Sequence, residues 1–323
     1  MSDTASSACL QSRAVEISVV VPVYGCRDSL RALHERTSAV LRSLTDTYEI
    51  VLVDDCDRQG SWEVVSELAH ADPAVKAFRL SRNFGQHAAL TAGLAQCSGR
   101  WAVVMDCDLQ DPPENIPALY RKALEGNEIV LARRKQKKHS LFRRIAARVY
   151  FKLMNALTTV RLDGEFGSFS IISRKVIDAF LRFRDQDRHY LFILNWLGFR
   201  TATIEYEQTA RHSGESSYSL THLIRHALDG LFFQTTVLLR WIVYVGFWVS
   251  LAGFLLTLYY IYLYLAYSVY PGYTSIVVLI LLIGGFIIMS TGVAGLYIGK
   301  VFDQVKGRPL YVIDQAIVDG KPQ

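Results

Sequence analysis

Two aspartates separated by one residue, Asp106 and Asp108, stand at the end of the apolar run Trp101–Met105 and lead into Leu109-Gln110-Asp111-Pro112-Pro113. Carboxylates that close repel each other unless a cation or hydrogen-bond donors offset their charge. A divalent metal bridging to a diphosphate would do so, because Mg2+ takes one or two carboxylates and fills its shell with phosphate oxygens. The spacing alone says little, since Asp55/Asp57 and Asp185/Asp187 share it. What singles out Asp106 and Asp108 is their position directly after a buried strand. Two other apolar runs end in Pro22-Val23-Tyr24 and in Asp54-Asp55. No GxGxxG follows a strand and no GxxxxGK(S/T) occurs, which argues against a dinucleotide enzyme and a P-loop ATPase.

The elements that must position these groups follow from hydrophobic periodicity. Strands are expected over Ile17–Val23, Glu49–Val53, Val75–Leu80, Trp101–Met105 and Ile129–Ala132. Helices are expected over Ser29–Leu44, Ser61–Ala69, His87–Gln96 and Pro113–Glu125. Near-continuous apolar strands alternating with helices predict an α/β fold, with a Rossmann-like, mostly parallel sheet covered on both faces. Ligands of such sheets bind beyond the carboxyl ends of the strands, so the three polar strand ends share one rim. The rhythm breaks after Ala132. A mixed segment, Asp163–Tyr206, and a polar loop, Gln208–Tyr218, precede Ser219, which reads as the N-cap of an amphipathic helix. That helix leads into an apolar region, and it is expected to lie in a membrane interface, with an ordinary core-facing helix as the alternative.

Residues 241–299 contain no Asp, Glu, Lys, Arg or His. Two apolar stretches, Ile242–Ala266 and Ser275–Ile298, are split by Pro271-Gly272, and each is long enough to cross about 30 Å of hydrocarbon. The pair reads as a transmembrane hairpin. Arg240 before it and Lys300, Lys306 and Arg308 after it place both ends on the cytoplasmic side. The expected organisation is a disordered tail at 1–14, a cytoplasmic domain at 15–218, an interfacial helix at 219–240, two transmembrane helices at 241–299 and a cytoplasmic tail at 300–323.

The net charge of +5 is local in origin. Arg133–Lys152 holds nine Lys or Arg and no acid, so the remainder of the chain carries −4. A single basic patch does not suggest nucleic acid; anionic membrane lipid or a solvated basic face fits it. The five cysteines all precede residue 108 and form no CxxC pair, so reduced, mostly buried thiols are expected and a zinc site is not.

In order along the chain stand VVVPVYG (Val19–Gly25), VLVDD (Val51–Asp55), RNFGQHAALTAG (Arg82–Gly93), DCDLQDPPE (Asp106–Glu114) and RHSGESSY (Arg211–Tyr218). This ensemble resembles the family 2 inverting glycosyltransferases, specifically those acting on polyprenyl phosphates. The resemblance covers about residues 15–312. It implies a glycosyltransferase A-type fold, a nucleotide diphosphate sugar donor, a polyprenyl phosphate acceptor and Mg2+ or Mn2+ as cofactor. It also implies a catalytic domain on the cytoplasmic face of a bacterial inner membrane, and a homo-oligomer, by likeness a tetramer.

Residue by residue, the resemblance assigns the donor to Pro22, Val23, Tyr24, Asp54, Asp55, Asn83, Gly85, Gln86, Asp106, Cys107 and Asp108. Asp106, Asp108 and Gln110 would hold the metal. Asp106, Asp108, Arg134 and Arg211 would be catalytic. Arg143, Arg144, Arg211 and Ser216 would meet the acceptor phosphate. Two departures stand out. The usual DDGS is Asp54-Asp55-Cys56-Asp57, and the stretch that reads like GDFRLMSR in relatives is Gly167–Arg174, with Ser168 and Ser170 replacing an Asp and an Arg. A processive polysaccharide synthase would need a QxxRW motif, but Val237 stands where Arg240-Trp241 would require Gln. A non-catalytic membrane partner would not be expected to keep Asp106, Asp108 and Gln110.

Overall fold

All residues of β1 (Ile17–Val23) are buried, as its unbroken apolar sequence requires of a strand covered on both faces. It pairs in parallel with β2 (Tyr48–Asp54) on one side and β4 (Trp101–Val104) on the other, and β3 (Val75–Leu80) continues the parallel set beyond β2. The computed structural model describes residues 14–134, 166–186, 188–207, 237–267 and 272–323. The basic segment beyond Arg134, Arg143, Arg144, Arg211, Ser216 and the expected interfacial helix up to residue 236 lie outside the described residues.

The full sheet has nine strands in the order β7-β5-β6-β4-β1-β2-β3-β8-β9. Its parallel centre matches the expectation, but the flanks make it mixed. β6 (Phe166–Ser173) runs antiparallel to both β4 and β5 (Ile129–Arg134), and β7 (Thr201–Tyr206) is parallel to β5. The segment expected as a cytoplasmic tail supplies β8 (Ile313–Val318), antiparallel to β3, and β9 (Lys321–Pro322).

Period-two alternation divides the core between the two faces. Ile17, Val19, Val21 and Val23 pack with α1 (Leu30–Leu44), α2 (Ser61–Ala71) and α4 (Ile116–Leu124). Val20, Val51 and Val53 face α3 (Gln86–Gln96), α5 (Arg174–Leu181) and α6 (Tyr190–Leu197) on the other side. Helix α3 lies so close to the sheet that a Cβ at Gly93 would stand 2.4 Å from Val20 Cγ1 and 3.2 Å from Val53 Cγ2. The last glycine of RNFGQHAALTAG is therefore a packing requirement. It sets the depth at which the N-terminus of α3 reaches the rim.

The described residues divide into two units. The first holds the sheet and its helices. The second contains α7 (Val237–Tyr267) and α8 (Tyr273–Val305), which meet where Phe286 approaches Gly246. Within α8, Ile283–Val305 is long and apolar enough to cross a membrane, with 23 residues at a mean hydropathy of 1.5. In α7 the apolar stretch Ile242–Leu256 is shorter. The sequence led to two expected spans, and the described residues contain one of full length. Ile288 is 75% exposed and Trp248 64%, an arrangement unfavourable in water and suited to a lipid or protein neighbour.

Candidate active site

The carboxyl ends of β1, β2 and β4 meet at one rim, as the sequence implied. Val23 pairs with Asp54 across β1 and β2, and the backbone N–H of Asp55 donates to the Val23 carbonyl at 3.0 Å. Pro22 and Val23 are buried, so they shape the rim through backbone, while the Tyr24 ring is 58% exposed above it.

Asp54, the last residue of β2, and Asp55, which follows it, have different partners. Asp54 is wholly buried, and its Oδ2 accepts no hydrogen bond, with Arg79 Nε 3.4 Å away. Burial pushes its carboxyl up to about 6. Asp55 spends both oxygens on the β3–α3 loop, accepting from the N–H of Phe84 at 2.7 Å and of Gly85 at 2.8 Å. It thereby anchors the loop carrying Asn83, Gly85 and Gln86, so its first role is in positioning.

Asp57, not assigned a role from the sequence, is the clamp of the opposite loop. Its carboxylate accepts from Gly25 N–H at 2.8 Å, Gln59 N–H at 2.9 Å and the Ser61 hydroxyl. Burial would raise its pKa, but these bonds outweigh burial and hold it below the usual range. The Cys56 that replaces the family's glycine takes φ +54°, a left-handed backbone that costs a non-glycine residue about 1 kcal/mol.

At the end of β4, Asp106 Oδ1 accepts from Gln86 Nε2 and from Ser168 Oγ, both at 2.8 Å. Burial, with the neighbouring Asp111 and Asp108 carboxylates, pushes Asp106 up to about 6. Asp108 turns back to accept the Gln110 N–H at 3.1 Å, and Leu109 between them sits at φ +60° with its side chain buried. The residue with left-handed backbone thus lies inside the acidic motif.

Arg134 is fixed by register. β5 and β7 set Arg134 level with Tyr206, whose hydroxyl accepts from Arg134 Nε at 3.1 Å and donates to Asp111. Arg134 Nη2 stands 3.5 Å from Asp111 Oδ1. Asp111, Tyr206 and Ser168 were not assigned from the sequence. The run DLQDPP names Asp111, but nothing local says that residues 95 positions apart share a bond.

The glycosyl transferase family 2 profile matches residues 18–181, a span that contains this whole rim except Tyr206. The chain belongs to glycosyltransferase family 2. It is 34% identical over 307 residues to the uncharacterized glycosyltransferase YkcC of Bacillus subtilis, covering 94% of this chain and 95% of that one. It is 35% identical over 316 residues to an undecaprenyl-phosphate 4-deoxy-4-formamido-L-arabinose transferase of Proteus mirabilis, covering 95% of each. With the enzyme of the same name from Serratia proteamaculans the identity is 36% over 308 residues, 94% of each chain. The crystal structure of mannosyl-3-phosphoglycerate synthase from Rubrobacter xylanophilus overlays with a TM-score of 0.47 at 16% identity, over 66% of this chain and 70% of that one.

The donor set of this family 2 glycosyltransferase fits a divalent cation. Asp106, Asp108 and Asp111 gather around the end of β4, with the Arg134 guanidinium as the cation paired to Asp111. Among the described residues no group of three or more His, Cys, Asp or Glu is arranged to hold a metal alone. A cation here would therefore need oxygens from a bound ligand to complete its shell, which is how Mg2+ behaves beside phosphates.

Proposed function

We propose that this family 2 glycosyltransferase moves a glycosyl group from a nucleoside diphosphate sugar to polyprenyl phosphate, with inversion, at the cytoplasmic face of a bacterial inner membrane. The observation that carries the reading is the rim itself. Asp106 and Asp108 stand at the end of β4, on the same rim as the Asp54 strand end with β1 between them, and within the set braced by Arg134. The relatives named for undecaprenyl-phosphate transfer align over nearly the whole chain, including α7 and α8. That extent favours a lipid acceptor over a soluble one.

Each residue then has a task. Tyr24 offers a ring face to the base, and the unbonded Asp54 Oδ2 offers a buried acceptor to a base or ribose donor. Asp106 and Asp108 would hold Mg2+ or Mn2+ with Gln110 nearby, and that cation would neutralise charge on the leaving diphosphate. Gln86 and Ser168 fix the Asp106 carboxylate so that its other oxygen is free to turn toward the ligand. Arg134, held by Tyr206 and Asp111, presents a fixed positive charge beside the reacting centre. A phosphate monoester acceptor has its second pKa near about 6, so it arrives largely ionised at neutral pH and needs little help from a protein base.

Helices α7 and α8 are proposed to form the membrane hairpin with both chain ends cytoplasmic, and a tetramer is the expected assembly. The deciding experiment incubates the full chain in membranes with radiolabelled UDP-, GDP- and dTDP-sugars and undecaprenyl phosphate, then extracts the lipid. Label in the organic phase that depends on Mg2+ or Mn2+ supports the reading. Absence of lipid label with every donor overturns it.

A further inference from the structure

Cys26 and Cys107, 81 residues apart in sequence, are joined in a disulfide with their Cα atoms 6.0 Å apart. The sequence led to the expectation of reduced thiols; strand order brings these two together instead. Cys26 follows Gly25 in the loop after β1, and Cys107 is the residue between Asp106 and Asp108. The resemblance assigns Cys107 to the donor, but its sulfur is buried and bonded to Cys26, which leaves only its backbone for that role. The bond ties the acidic motif to the loop beneath Tyr24, and so joins two walls of the same rim.

A second link runs beside it. The Ser29 hydroxyl lies 2.9 Å from the Cys26 carbonyl and 2.7 Å from the Cys107 carbonyl, within reach of both. Both cysteines also belong to the buried core on the α1 face. The two backbones thus stay neighbours whether or not the sulfurs are bonded, and the bond can open and close without unfolding the domain. Cys26 and Cys107 are both buried, and Tyr24, Arg27 and Asp28 beside Cys26 are exposed, so an attacking thiolate reaches the bond only when the Gly25–Asp28 loop opens. Where disulfides occur in a reducing compartment, they are usually transient and redox-sensing.

We propose that Cys26 and Cys107 form a reversible thiol-oxidation site that sets the order of the Asp106–Asp108 segment and hence its affinity for a cation–diphosphate ligand. In the cystine form the segment is pinned in the geometry seen here, with Asp106 already bonded to Gln86 and Ser168. In the dithiol form only hydrogen bonds and packing hold it, and part of the binding energy goes into ordering it. Reduction consumes two thiols of a low-molecular-weight or protein dithiol. One protein S–S bond breaks, two protein S–H bonds form, and the reductant leaves as its own disulfide. A low-molecular-weight disulfide drives the reverse exchange. The link to donor affinity rests on the reading of Asp106 and Asp108 as donor-side ligands.

The test uses the purified full chain in detergent, treated with oxidised glutathione or with dithiothreitol, then alkylated under denaturing conditions and weighed intact. Of the five cysteines in the sequence, three are expected to alkylate in the oxidised sample and five in the reduced one. Hydrogen exchange of a peptide spanning residues 105–110 is expected to be about threefold or more faster in the dithiol form. The two treatments should give the same exchange in Cys26→Ser, or in Cys26→Ala if the serine variant does not fold. Mn2+ with UDP, GDP or dTDP should bind about threefold or more tighter to the cystine form. Five reactive thiols after oxidation, or identical exchange in the two forms, overturns the proposal. If no diphosphate binds either form while the exchange difference persists, the donor reading fails and the redox site stands.

Discussion

The backbone of Gly167 lies directly against the guanidinium of Arg134: a Cβ at residue 167 would stand 2.7 Å from Arg134 Nη2 and 3.0 Å from its Cζ. The obstacle is the end of a flexible side chain, so the fold can absorb a methyl group there by moving the arginine. Moving it separates Arg134 from Tyr206 and Asp111. Gly167→Ala is expected to lower kcat about tenfold or more in protein that is still folded by circular dichroism, since small displacements at a reacting centre are costly. Unchanged kcat with the lipid acceptor would show that Arg134 does not act from this position.

Asp108→Ala removes one of the two carboxylates proposed to hold the cation. A metal clamp on a leaving diphosphate contributes several kcal/mol, so a rate loss of about a thousandfold is expected, with EDTA producing a similar loss in the wild type. Full transfer activity in EDTA would refute the metal assignment for Asp106 and Asp108 together.

Asp55→Asn keeps the shape of the side chain but leaves one acceptor oxygen for two N–H groups, those of Phe84 and Gly85. One partly buried donor then loses its partner, at a cost of about 1 kcal/mol. The anchored loop carries Gln86, so the KM for the donor is expected to rise while the KM for polyprenyl phosphate stays constant. Equal changes in both constants would point to general loosening of the domain.

The Asp54 carboxyl, pushed up to about 6 by burial, makes the ligand-free protein pH-sensitive. An unfolded aspartate releases its proton near about 3.9. Between those values the folded state holds more protons than the unfolded one, so this contribution is fully present below the unfolded pKa and is lost as pH rises through about 6. Thermal unfolding in detergent should therefore show wild type losing stability from pH 5 to pH 7.5, with a smaller loss in Asp54→Asn. Identical slopes in the two proteins would remove Asp54 as the source.

Glu49 forms a polar network at the other end of β2. It is 3% exposed, accepts from Ser18 Oγ at 2.6 Å and from Ser98 Oγ at 2.8 Å, and pairs with Lys76 Nζ at 2.6 Å. Glu49→Ala strands these donors and the ammonium group, for an expected loss of about 3–5 kcal/mol. Protein that remains folded at low temperature should keep its donor KM, because the network lies at the amino end of the strands. A changed donor KM at full folding would show that it reaches the rim.

Much of the catalytic unit is written locally. The unbroken apolar runs of β1, β2 and β4 already state that both faces of the central sheet are covered, and the polar residues ending them state where a ligand binds. The placement of Asp106 and Asp108 at such an end, and the charge-free region after Arg240, follow from the chain alone because burial and periodicity are properties of neighbouring residues. Other features depend on strand order. Residues 313–318 join the far side of β3, and Tyr206 comes level with Arg134 only because β7 is parallel to β5. The division of labour between Asp54 and Asp55, the Asp57 clamp and the Cys26–Cys107 bond likewise appear only once loops from separate strands meet. A sequence records which groups can donate, accept or oxidise. Which of them meet is set by the register and order of strands, because hydrogen bonds and disulfides act over a few ångströms and ignore separation along the chain.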